Sequence, residues 1–110
     1  MLEPISIEDF KKVEIKIGEI KSAEKIEGSE KLLKLKVFFG TEERQVLSGI
    51  AAYFSDPAAL VGKRYPFVTN LAPRMMMGLE SQAMILAAGG EENIPFTLFE
   101  TTGEPGARVH

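Results

Sequence analysis

The stretch Leu33-Lys34-Leu35-Lys36-Val37-Phe38-Phe39-Gly40-Thr41-Glu42-Glu43-Arg44-Gln45-Val46-Leu47-Ser48 decides the fold. Leu33, Leu35, Val37 and Phe39 alternate with Lys34, Lys36 and Phe38, the period-2 pattern of a strand with one face in a core and one in water. Gly40 through Glu43 is a short turn, and Arg44–Ile50 is apolar enough to return beside the first run. Two such runs joined this tightly predict an antiparallel hairpin.

Working outward, Val13-Glu14-Ile15-Lys16-Ile17 shows the same alternation and predicts a strand before the hairpin. Gly18 interrupts it and Ile20 falls out of phase, which predicts a bulge or sharp bend at that glycine. Ser6 is placed to cap a helical turn through Asp9 and Phe10. Residues 22–31 are polar and read as a loop. Beyond the hairpin, Asp56-Pro57 and Gly62 bracket an alanine-rich piece in the manner of a short capped helix. Tyr65–Leu71 predicts a fourth strand, its Pro66 near an edge, and Ser81–Ala88 a fifth, ended by Gly89-Gly90. Phe96–Phe99 and Ala107–Val109 are short apolar extensions around a turn at 103–106. The expectation is an all-β, five-stranded OB-fold barrel with one short helix between strands three and four and short terminal extensions. Barrels of this kind bind oligonucleotides on a strand face and its loops.

At 110 residues the chain has room for one domain, taken as 1–110. Its 45% apolar and 26% charged residues are a globular composition. No apolar run approaches the ~20 residues that cross a bilayer. The acidic start MLEPISIEDF lacks the pattern of a secretory signal, so a cytoplasmic location is expected. Cysteine is absent and the single histidine is His110, leaving no thiolate or clustered imidazole for a metal site. Ser48 has no partner base to make it a nucleophile. The expectation is a protein without cofactor, metal or catalytic site of its own.

The net charge of −3 hides a division. Residues 1–10 carry three acids and no base, residues 11–75 twelve Lys/Arg against eight Asp/Glu, and residues 76–110 one Arg against five Glu. A local positive patch governs attraction to phosphates more than the overall sum. Lys34, Lys36 and Phe38 share the outer face of one strand, and the same parity puts Lys16 outside its own. Cations with a ring among them suit phosphates and unpaired bases. The same residues would equally serve as a solvated face with Phe38 in a secondary core or dimer contact. Arg74 follows Asn70-Leu71-Ala72-Pro73, so a rigid turn presents a guanidinium fork suited to phosphate. Asn70 would read a base or ribose, or satisfy turn backbone. Met75-Met76-Met77 reads as adaptable apolar packing.

Ile7–Ile20, Gly28–Gly40, Val46–Ile50, Asn70–Arg74 and Met77–Ala88, with Pro105-Gly106-Ala107 as closing turn, together resemble the tRNA-binding domain family. That family occurs as free-standing structure-specific tRNA-binding proteins and as the C-terminal domain or β subunit of methionyl-tRNA synthetase. The resemblance implies an OB barrel that grips the tRNA corner, forms a homodimer, and lends affinity to a methionyl-tRNA synthetase catalytic chain that does the chemistry. It implies RNA contacts from Lys16, Lys34, Arg44, Ser48, Asn70, Arg74, Ser81, Gln82 and Met84, beside the Lys36 and Phe38 read from the strand pattern. Gly49 and Gly78 are then backbone requirements of their loops. Two positions depart from the family: Lys16 stands where arginine is common and Met75 where lysine is common. A related secretion chaperone shares the fold and binds unfolded peptides, but its Asn-Phe-Pro-Pro-Arg turn differs from Asn70–Arg74, and it lacks the continuation Ser81-Gln82-Ala83-Met84 found here.

Overall fold

The computed structural model describes all 110 residues. A long first strand, β1 (Ile15–Lys25), pairs on one side with β2 (Leu33–Phe38) and on the other with β4 (Arg64–Val68). β3 (Glu43–Ser48) flanks β2, and β7 (Met84–Ile85) flanks β4, giving the antiparallel path β3-β2-β1-β4-β7. The path curls until its ends meet. Gln82 N–H donates to the Gln45 carbonyl at 2.9 Å, and Leu47 N–H donates to Ser81 Oγ at 3.0 Å. β10 (Arg108–Val109) joins β1 as a terminal extension. β5 (Arg74–Met76) pairs with β6 (Leu79–Ser81), and β8 (Ala87–Ala88) with β9 (Thr97–Leu98). The architecture is the expected five-stranded barrel, all-β apart from one short α-helix, α1 (Ile7–Phe10). No helix is long and apolar enough to cross a membrane.

The alternation in β2 does what its pattern dictates. Leu33, Leu35 and Val37 are fully buried in one contiguous core with Ile20, Val46, Leu60 and Phe67. Each such side chain contributes about 1.5–3 kcal/mol on leaving water. Ser6 caps α1 as expected, its Oγ accepting from Asp9 N–H at 3.1 Å.

Five expectations are corrected. The bulge is not at Gly18. β1 runs in unbroken register with β4 from Ile15 to Glu19, and the shift against β2 falls between Ile20 and Ser22. Ile20 breaks phase because the apolar residues of β1 serve two faces. Gly18 and Ile20 face the barrel core, whereas Ile17 is covered by the tail, whose Ala107 carbonyl accepts its N–H at 2.9 Å. A Cβ at Gly18 would run into Val37 and Phe39, so only glycine lets the strands approach. Second, β1 continues to Lys25 through residues read as loop, because half-buried Ala23 registers against Leu35.

Third, the helix expected between strands three and four is two 3-10 turns, Ala51–Tyr53 and Pro57–Leu60. Phe54 packs on the core between them in extended conformation, while Asp56 caps the second turn. Fourth, Pro66 is interior, between β1 and β7. Its partner Ile17 directs both backbone groups to the tail, and the Pro66 carbonyl accepts Leu86 N–H at 3.2 Å, so no ladder donor is missed toward β1. Fifth, Ser81–Ala88 is three short strands with three different partners, because Ser81 and Gln82 turn aside to close the barrel on β3.

Candidate nucleic-acid interface

Beside the closure lies a cleft of about 180 Å³ lined by Ser48, Gly49, Leu71, Arg74, Ser81 and Met84, among others. Three segments far apart in sequence build it: the end of β3, the turn after β4, and the β5–β6 hairpin with its continuation. The hairpin turns at Met77 and Gly78, both with positive φ (53° and 77°), the conformation that two-residue hairpin turns need and that Gly78 adopts without strain. Its first strand begins at Arg74, which is exposed and makes no ion pair or side-chain hydrogen bond. Its guanidinium is free to meet an anion. Ser48 is half-buried at the rim, and Met84 and Leu71 are exposed apolar groups beside it.

Lys34 and Lys36 stand on the outer face of β2, as their parity requires. Lys34 registers against Leu47, which also lines the cleft, and Lys36 against Gln45, whose side-chain Nε2 donates to the Glu80 carbonyl of the hairpin at 2.9 Å. The two lysines are thus joined to the Arg74 cleft through β3. Lys34 is 3.1 Å from Glu24 on β1, an exposed pair of small energy, while Lys36 is exposed with no acidic partner. Phe38 is half-buried, with the Lys21 ammonium 5.3 Å from its ring centre and Glu19 and Glu43 as cross-strand neighbours. That ring already has a cation and two acids about it.

The remaining sequence-derived residues form a second network that ties the barrel together. Arg44 Nη1 donates to the Thr69 carbonyl at 2.6 Å and the Gln82 carbonyl at 3.2 Å, and Glu42 takes its remaining edge. Asn70 Oδ1 accepts Glu14 N–H at 2.8 Å, and its Nδ2 donates to the Lys12 carbonyl at 2.6 Å. Gln82 Oε1 accepts Gln45 N–H at 3.0 Å. Ser81 is buried, and its Oγ also reaches the Ala83 carbonyl at 3.1 Å.

The parity reading of Lys16 is corrected. It registers with Phe67 and so shares the core-facing side of β1, reaching solvent at the strand's end 3.7 Å from Glu14. Glu14 accepts from Thr69 Oγ1 at 2.6 Å, and this hydrogen bond, helped by Lys16, Arg108 and Arg44, holds its carboxyl below the usual range against the opposing effect of burial. Sequence reasoning missed Glu14 and Thr69. Their link spans 55 residues and leaves no local pattern.

With this geometry, relatives can be compared. A family model described as tRNA binding domain matches residues 15–108. The methionine–tRNA ligase of Caldanaerobacter subterraneus subsp. tengcongensis is 44% identical over 108 residues, covering 98% of this chain and 17% of that protein. The methionine–tRNA ligase of Methanospirillum hungatei is 53% identical over 105 residues, covering 96% of this chain and 15% of that protein. The chain therefore spans less than a fifth of these curated relatives. Among solved structures, a MetRS related protein from Pyrococcus horikoshii superposes with a TM-score of 0.90 at 40% identity, covering 99% of this chain and 100% of that one. The CsaA chaperone protein of Picrophilus torridus, with a TM-score of 0.84 at 24% identity over 97% of this chain and all of its own, shares the fold. By sequence and by barrel alike, the chain belongs to the tRNA binding domain family.

Proposed function

We propose that residues 1–110 act as one non-catalytic domain that binds folded tRNA in the cytoplasm, lending affinity to a methionyl-tRNA synthetase catalytic chain that lies outside this sequence. The observation that carries the reading is Arg74: an unpaired guanidinium at a cleft on a closed barrel, in a chain of this family. Phosphate engages Arg74, with Lys34 and Lys36 adding charge from β2. Ser48 and Met84 line the rim where ribose or a base edge would lie. Arg44, Asn70, Ser81 and Gln82 act as positioning residues, since their polar atoms are spent on the barrel and its turns. Lys16 and Phe38 contribute less, being engaged by Glu14 and by Lys21.

The same reading includes a homodimer. Ile7, Phe10, Val13 and Val109 line a groove of about 430 Å³ between α1 and β10, and α1 buries none of its residues within its own chain. An amphipathic turn left this bare fits a second copy better than water.

Replacing Arg74 tests the reading. Arg74→Ala removes a charged contact worth about 1.5–3 kcal/mol, so tRNA affinity falls about tenfold or more while thermal stability stays unchanged. Unchanged affinity would remove the cleft from the interface. An unfolded-protein substrate in place of tRNA, the chaperone alternative, has only the likeness of fold behind it.

A further inference from the structure

A second cleft of about 390 Å³ lies away from Arg74, where the 3-10 turns meet the start of β4 and the strand β9. Its walls are aromatic and aliphatic: Tyr53, Phe54, Tyr65, Phe96 and Leu98, with Glu100 at the edge. Tyr53 and Phe96 stack at 4.0 Å between ring centres, and Phe54 meets Phe96 edge-on, so the walls are fixed. The Tyr53 hydroxyl is spent on the Gly90 carbonyl at 3.3 Å.

Tyr65 is different. The residue is 4% exposed, yet its hydroxyl makes no hydrogen bond within the chain, and the oxygen is not sealed from solvent. Burial, and then the charge of Glu100, push its phenol pKa up, so at neutral pH it is a neutral hydroxyl on a residue that lines the cleft. A polar atom left open inside an otherwise aromatic wall matches a ligand that brings its own donor.

Charge decides which ligand. Glu100 keeps a side chain that is 58% exposed, opposed only by Lys63 at 3.8 Å. The turn that Tyr53 anchors through Gly90 carries Glu91 and Glu92. These carboxylates make the cleft a poorer seat for a phosphate than for a cation. A lysine or arginine side chain satisfies each feature: its methylene stem lies on the rings, its N–H groups donate to Tyr65 Oη, and its charge meets Glu100.

We propose that this acidic, aromatic cleft is a docking site for a basic segment of a partner protein, one lysine or arginine entering between Tyr53, Tyr65 and Glu100. Domain and partner would then be held on one side while the Arg74 side remains free for nucleic acid.

The test uses the full chain and three capped pentapeptides that differ only at a central lysine, norleucine or glutamate, titrated while backbone amide resonances are followed. The lysine peptide shifts amides around 96–100 and binds at least about tenfold tighter than the norleucine peptide, and the glutamate peptide does not bind. Tyr65→Phe and Glu100→Gln each weaken lysine-peptide binding about tenfold or more, the range of a hydrogen bond to a charged group. Affinity for tRNA, measured in parallel, stays unchanged in both variants, which separates this site from the Arg74 cleft. Equal binding of the lysine and norleucine peptides would overturn the proposal. So would no binding of any peptide, an oligouridylate shifting the same amides, or full affinity in both variants.

Discussion

Replacing Ser81 by alanine separates a residue that holds the barrel from one that touches RNA. Its Oγ accepts Leu47 N–H at 3.0 Å and donates toward the Ala83 carbonyl at 3.1 Å, in a position only 6% exposed. Alanine leaves the Leu47 N–H and the Ala83 carbonyl without this partner at the seam between β3 and β6. An unsatisfied buried donor costs about 1–3 kcal/mol. For 110 residues at about 2.1 cal/mol/K each, the unfolding entropy is about 230 cal/mol/K, so each kcal/mol moves Tm by about 4 °C. Ser81→Ala should therefore lower Tm by about 4–13 °C, with a lower urea midpoint and an unchanged denaturant slope. Measured well below Tm, tRNA affinity should stay within about twofold of the parent, because the seam remains closed in the folded fraction. An unchanged Tm with a tenfold loss of affinity would refute the assignment and place Ser81 in the interface.

Three further outcomes follow from the same contacts. Gly18→Ala should cost about 1–3 kcal/mol by overpacking, since the new methyl meets Val37, Phe39 Cε1 at 2.7 Å and Phe67 Cδ1 at 3.0 Å; an unshifted urea midpoint would contradict the close approach of β1 to the core. Thr69→Val removes the donor that lowers the Glu14 carboxyl. A group whose folded pKa is depressed stabilises the fold above its unfolded pKa and loses that effect as pH falls through the folded one, so the stability gap between parent and variant should narrow below about pH 4.5; a gap that ignores pH would show that the carboxylate is not involved. On the proposed homodimer, Phe10→Asp should give a monomer by sedimentation whose Tm no longer rises with protein concentration, since no residue of α1 is buried within its own chain; sedimentation unaltered by the substitution would move the interface elsewhere.

The barrel is legible because its decisive signals are local. Leu33, Leu35 and Val37 alternate over one strand, and the Gly40–Glu43 turn sends the chain straight back. The reading failed where one strand serves two masters. Ile17 faces the tail and Ile20 the core, so β1 looked interrupted at a glycine that is there to let strands approach. Ser81–Ala88 looked like one strand because an apolar run says nothing of how many partners share it. Arg74 was visible from its turn, and its freedom from ion pairs agrees with that reading. The backbone contacts of Arg44, Ser81 and Gln82 were not visible, since they are set by partners tens of residues distant, whereas a bond from Asn70 to backbone was one of the two readings its turn allowed. Tyr65 gave no signal at all: an aromatic in a strand reads as core until the position of its hydroxyl is known.

Competition between folded tRNA and an unstructured RNA of equal length, run across a salt series, tests the central claim most directly. Shape and phosphates presented together predict that folded tRNA wins, that binding weakens steeply with salt, and that Arg74→Ala lowers the slope of log affinity against log salt by about one. Preference for the unstructured strand, or a slope that Arg74→Ala leaves untouched, would contradict it.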